Sequence, residues 1–216
     1  MNDKKIPAKH RWISLLFIAA ISLITALAYP YLSDSIPVHW NLAGDVDGWM
    51  NKPWGALILP LTMVGTWLLF EVLSFISPKG FKLNEFIDVV GLLMSIIIAF
   101  LAVISLAQIA YALGYQVAMT RVISGALGLL LLLTGNYFGK LRKNFFIGIR
   151  TPWTLANEEV WNRTHRLAGW LFVLAGLVLF ISALLTTSSW LILPAILIAA
   201  LVPAGYSLWI YKRLEG

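Results

Sequence analysis

Between residues 135 and 166 the chain runs Gly135-Asn136-Tyr137-Phe138-Gly139-Lys140-Leu141-Arg142-Lys143-Asn144-Phe145-Phe146-Ile147-Gly148-Ile149-Arg150-Thr151-Pro152-Trp153-Thr154, then on through Glu158, Glu159, Trp161, Arg163, His165 and Arg166. Carboxylates, an imidazole and guanidinium groups in one short segment are the materials of acid–base chemistry or of a docking surface. On a helix, Glu158, Trp161 and His165 share a face, and Glu159 and Arg163 stand four apart as an ordinary surface ion pair. A Glu–His pair on one face could serve as an acid–base couple. The spacing is not the His-Glu-x-x-His of zinc hydrolases, and no nucleophile stands in a recognisable setting. For Lys140, Arg142 and Lys143 the favoured reading is a determinant of membrane orientation that also touches anionic lipid. Arg150, Trp153, Trp161 and His165 are of the types that interaction surfaces use.

A second stretch rich in ionisable and turn-forming residues lies earlier, with Pro37, His39, Asn41, Gly44, Asp45, Asp47 and Gly48 inside residues 36–54. His39, Asp45 and Asp47 could converge as nitrogen and oxygen metal ligands. Asp45-Val46-Asp47-Gly48 resembles the start of a calcium loop, but the downstream glutamate is missing. The favoured reading is an ordered turn, with glycines supplying backbone freedom, aspartates capping, and tryptophans anchoring it at the lipid headgroups. No metal and no cofactor is expected.

The elements that position these stretches follow from composition. Of 216 residues, 60% are hydrophobic and 12% charged, against about 45–50% and about 25% in soluble domains. The mean hydropathy of +0.83 excludes a soluble globular domain and a disordered chain. There is no cysteine, which excludes disulfides and thiolate chemistry. Six apolar segments, near 12–31, 54–76, 86–113, 116–138, 167–186 and 190–211, are each long enough to cross a bilayer. No cleavable signal peptide is expected. Thr151-Pro152 reads as a helix start, with Thr154 as an alternative cap, and the helix is expected to run unbroken into the fifth span.

Every lysine and arginine except Lys52 and Arg121 falls in the segments before span one, between two and three, between four and five, or after six. By the positive-inside rule both termini and residues 135–166 are therefore expected in the cytoplasm, with the 32–53 loop outside. The expected architecture is all-α: a polytopic membrane protein of two three-helix halves, 1–115 and 116–216. Within the spans Glu71 is the one acidic residue well inside. It is expected to snorkel or pair with Lys79, or in a sharper reading to anchor Arg150. Asp88 and Gln108 call for no special role.

On these residues the chain resembles a known family. The run from Gly135 through Gly139-Lys140, Asn144-Phe145-Phe146-Ile147-Gly148-Ile149-Arg150-Thr151-Pro152-Trp153-Thr154, Glu158-Glu159, Trp161 and His165-Arg166 resembles the signature of the SdpI family, bacterial membrane immunity proteins against a secreted toxin. Residues Ile36 to Gly48 resemble the uncharacterised domain commonly fused ahead of that signature. The resemblance implies a non-enzymatic, multi-pass protein of the bacterial cytoplasmic membrane that protects against a membrane-active peptide toxin. It further implies a small DNA-binding repressor held at the cytoplasmic loop, with Glu158, Glu159 and the tryptophans as docking candidates and no direct contact with nucleic acid. Membrane lipids are the remaining partner. The rival readings are a small transporter or exporter, resting on Thr25, Thr62, Thr66, Ser95, Ser105, Thr134 and Asn136, and an intramembrane enzyme using Glu158, His165 and Arg150.

Overall fold

The computed structural model describes residues 5–77, 83–185 and 189–215. Lys4, Lys79 and Lys82 of the basic segments lie outside these, so the pairing expected between Glu71 and Lys79 does too. The elements are α1 (Ala8–Ala28), β1 (Ser35–Trp40), β2 (Val46–Asn51), α2 (Trp54–Ile76), α3 (Ile87–Ala112), α4 (Met119–Phe138), α5 (Pro152–Ala156), α6 (Glu158–Leu185) and α7 (Ile192–Glu215). Among the described residues, all of the helices but α5 are long and apolar enough to cross a membrane, which is the six-span membrane architecture expected. Leucines such as Leu16, Leu27, Leu69, Leu184 and Leu201 are exposed along their outward faces. In a bilayer those faces meet acyl chains as apolar as themselves, so close packing and interhelical hydrogen bonds must bring the helices together.

α3 packs against α1, α2 and α4. It joins α1 through small polar groups. The Ser14 and Ser95 hydroxyls share a hydrogen bond of 3.3 Å, and Ser95 also donates to the Gly91 carbonyl. α4 and α6 pack closest of all, and glycine is the reason. Gly128 and Gly135 on α4 face Gly176 and Gly169 on α6, each pair seven residues apart. A Cβ at Gly176 would lie 2.5 Å from the Leu132 nitrogen and 2.6 Å from the Gly128 oxygen; one at Gly135 would lie 2.9 Å from the Gly169 oxygen. Backbone meets backbone there, the small-residue device that membrane helices use in place of a hydrophobic driving force. α6 then packs on α7.

Two features depart from expectation. The stretch 35–51 is a two-stranded antiparallel hairpin, with Ile36 opposite Met50, Pro37 opposite Trp49 and His39 opposite Gly48. Asn41 closes its tip by accepting from the Ala43 and Asp45 amides through Oδ1. Gly44 adopts a φ of +96° there, a conformation that favours glycine. The second departure is at the helix expected to run from Thr151 into the fifth span. It breaks at Asn157, whose backbone is extended. The Asn157 side-chain oxygen accepts from the Glu159 and Val160 amides and so starts α6 afresh. Asparagine satisfies orphan amides at a helix start better than it sustains a helix interior.

The glycine seam predicts a sharp contrast. Gly176→Ala pushes a methyl into backbone and should lower the melting temperature of the detergent-solubilised protein by several degrees. Gly65→Ala, where a Cβ meets nothing within 4 Å, should leave it unchanged; equal melting temperatures would remove the seam as a stabilising feature.

Candidate functional site

The segment from Gly139 to Thr151 closes the end of the bundle that carries the termini, and regular structure gives it no ladder of backbone bonds. Side chains supply the missing partners, Asn144 and His165 foremost. Asn144 is fully buried. Its amide nitrogen donates to the Arg142 and Ile147 carbonyls, and its Oδ1 accepts from the Phe146 and Ile147 amides. All of its strong donors and acceptors are engaged.

His165, 1% exposed, supplies the other partner. The Ile149 amide donates to His165 Nε2 at 3.0 Å, and His165 Nδ1 lies 2.8 Å from the Trp161 carbonyl. An amide can only donate and a carbonyl can only accept, so the ring is neutral with its proton on Nδ1. The imidazole stacks on the Trp161 indole at 3.9 Å between centroids, and Phe138 stacks beyond it at 6.0 Å. Trp161 is wholly buried and donates from Nε1 to the Leu141 carbonyl at 2.7 Å.

Gly148 fits this arrangement alone among residue types. Its φ is +113°, and a Cβ would stand 2.3 Å from His165 Nε2. Thr151 caps α5 by a reciprocal pair with Thr154, whose hydroxyl also donates to the Ile149 carbonyl. Thr151 and Ser207 hydroxyls are 2.8 Å apart, tying the segment to α7. Leu141 and Trp161 join the same apolar core as Ile18 of α1, Met63 of α2 and Met94 of α3. This cradle therefore ties α6 to α1, α2 and α3 at one end.

Several expectations are corrected by this geometry. Glu158 and His165 do not form an acid–base couple: Glu158 is exposed while His165 is sealed, with both nitrogens engaged. Trp161 is no docking residue, because no part of it reaches the surface. Glu71 does not anchor Arg150. Glu71 accepts from Arg11 Nε at 2.8 Å, and Arg150 is exposed with Nη1 donating to the Phe145 carbonyl at 2.7 Å.

The remaining motif residues keep ordinary places. Glu159 pairs with Arg163 and Lys140 lies over the Tyr137 ring. Gly139 caps α4, Pro152 opens α5 on its exposed side, Trp153 is half-buried, and Asn136 and Arg166 are exposed. Of the hydroxyls offered for a transport path, Thr25, Thr62, Ser95 and Thr134 donate to carbonyls four residues back in their own helices. They are internally satisfied, and a groove between α1, α3 and α4 is walled mainly by Phe17, Phe100, Val103, Leu129 and other apolar side chains.

At the opposite end His39 Nδ1 and Asp47 Oδ1 pair across the strands at 2.5 Å. Gly48 makes room beside them, since a Cβ there would lie 2.7 Å from that of His39. Among the described residues no cluster of three or more His, Cys, Asp or Glu could hold a metal. Gln108 has a role that its position at a span end did not reveal: it donates from Nε2 to the Pro37 and Gly55 carbonyls at 3.0 and 3.2 Å, clasping the hairpin onto α3. Lys52 donates to the Tyr29 and Leu32 carbonyls, and Ser189 donates to Leu42 at the hairpin tip.

The Gly148–His165 contact yields a non-additive prediction. Losing the imidazole orphans a buried amide and opens a void, so His165→Ala should cost about 3 kcal/mol. Gly148→Ala should cost a similar amount through the clash. In the double variant the clash is gone, so its loss should fall short of the sum by about 1 kcal/mol or more. Denaturation of the four proteins in detergent measures this, and strict additivity would contradict the contact.

Comparison with known proteins bears on the same regions. Residues 140–207 match the SdpI/YfhL protein family, and residues 16–64 match a domain of unknown function, DUF1648. The chain is 27% identical over 210 residues to Immunity protein SdpI of Bacillus subtilis (strain 168), a match covering 96% of this chain and 99% of that protein. No solved structure matches it. The cradle built by Asn144, Gly148, Thr151, Trp161 and His165 lies wholly inside the family region, and the hairpin inside the other. The chain is thus similar to the SdpI/YfhL protein family over residues 140–207 and to the DUF1648 domain over residues 16–64, in that order along a membrane protein of six apolar helices.

Proposed function

We propose that this protein confers immunity on its bacterial host against a secreted, membrane-active peptide toxin, acting in the cytoplasmic membrane with both termini inside. The observation that carries this reading is the end-to-end likeness to Immunity protein SdpI, which spans both halves of the chain. The geometry supports binding over catalysis, because the titratable residues of the motif are either sealed and satisfied, as His165 is, or exposed and dispersed, as Glu158 and Arg150 are. In this reading the hairpin and the outer ends of the spans meet the toxin. The inner face beside α5 offers Arg150, Trp153 and Glu158 to a protein partner, a small DNA-binding repressor. A toxin can alter that face only by binding two packings of the spans with different affinity.

Survival of toxin-sensitive bacteria expressing the protein tests the proposal. At matched membrane abundance, the unmutated protein and His39→Ala should protect, and Arg150→Ala should not. Arg150 makes one surface hydrogen bond, so its loss leaves the fold intact. Glu158→Gln should protect fully, since no proton transfer is asked of it. Failure of the unmutated protein against several such toxins would end the immunity reading, and loss of protection with Glu158→Gln would restore the enzymatic one.

A further inference from the structure

Where α4, α6 and α7 meet at the basic end of the bundle, they leave a concavity of about 720 Å³ lined by Arg142, Arg163, Arg166, Asn162, Trp170 and Tyr206 among others. One carboxylate lines it, Glu159, and that is taken up by Arg163 four residues on. The side chains of Arg142 and Arg166 are exposed and have no ion pair with a described carboxylate. Two unneutralised guanidinium groups thus face one cavity, an arrangement that an anion relieves and that suits the fork geometry of phosphate.

A smaller groove of about 220 Å³ continues from this cavity, sharing Gly139, Arg166 and Trp170 with it and running past Gly135, Gly169 and Val173. Glycines shape it: a Cβ at Gly139 would meet nothing within 4 Å, so the trough stays open for want of a side chain. From Arg166 to Val173 the groove follows α6 for about 10 Å. Exposed Trp170 stands between the charged cavity and the apolar groove, where an aromatic ring sits at the headgroup level of a bilayer. Charge above and an open apolar trough below match a molecule with an anionic phosphate head and an acyl tail. Of the basic run Lys140, Arg142 and Lys143, Arg142 alone lines the cavity.

We propose that this is a binding site for one anionic phospholipid, its phosphate between Arg142 and Arg166 and the upper part of an acyl chain along Gly139, Gly169 and Val173. Such a lipid would fill the cleft beside the α4–α6 glycine seam and brace α7 against it. The site is independent of the immunity reading.

Native mass spectrometry of the full chain in detergent tests it, with dioleoyl phosphatidylglycerol, dioleoyl phosphatidylcholine and inorganic phosphate as probes. Phosphatidylglycerol should bind more tightly than phosphatidylcholine, and R142Q/R166Q should weaken it by about tenfold or more. Arg121→Gln, at the other end of the bundle, should not. Gly139→Leu, which puts a side chain into the trough and keeps both arginines, should also weaken phosphatidylglycerol binding. Unchanged phosphatidylglycerol binding in R142Q/R166Q or in Gly139→Leu would overturn the proposal. Displacement by inorganic phosphate at equal concentration would overturn it too, by making the ligand a soluble anion.

Discussion

One imidazole decides whether the basic end of this bundle can close. A chain that leaves a membrane helix and returns without regular structure carries backbone groups that are costly to bury unpaired. His165 accepts a hydrogen bond from the Ile149 amide on Nε2 and donates one to the Trp161 carbonyl from Nδ1. From that pair the rest follows: Gly148 must lack a side chain, Trp161 must lie flat on the ring, and the Trp161 indole is then aimed at the Leu141 carbonyl. Of the three residues that most resembled an active site, His165 holds the fold, while Glu158 and Arg150 stand exposed.

The opposite end solves the same problem with different chemistry. There the hairpin pairs its own amides, Asn41 satisfies those at the tip, and Gln108 reaches from α3 to carbonyls of β1 and α2. At both ends a buried or capping amide side chain, Asn144 or Asn41, organises a turn by binding two amides through one oxygen. Both ends are therefore rigid platforms, and each platform presents its ionisable side chains outward: His39 and Asp47 at one, Arg150 and Glu158 at the other.

The spans were legible because apolar length is a local property, and the spacing of Gly128, Gly135, Gly169 and Gly176 carries the glycine seam as well. The hairpin was hidden by Pro37 and Gly48, residues that argue against strands; it forms because Pro37 sits on an edge and Gly48 gives room to His39. The break at Asn157 was signalled by an asparagine followed by two glutamates, a helix-start pattern masked by the strong Thr151-Pro152 start just before it. The face shared by Trp161 and His165 was visible in their spacing. What they do was not, because the partner that defines His165 is a backbone amide sixteen residues away, and backbone groups leave no trace in residue type.

These constraints bear on where such a molecule could change shape. The α4–α6 seam has no slack, since backbone atoms already touch through four glycines. α1, α2 and α3 share one apolar core, so each group of helices moves, if it moves, as a body. Between the groups stand the α3–α4 contact, the hairpin tip against Gly44's neighbour Thr120 and against Ser189, and the Leu141–Trp161 wedge in the core of the first group. A ligand pressing on the hairpin therefore bears on both groups at once. Any relative motion it favours must be answered at Trp161, because that side chain is packed in one group and rooted in the other. Trp161 is thus the side chain through which α6 is keyed into the core of α1, α2 and α3.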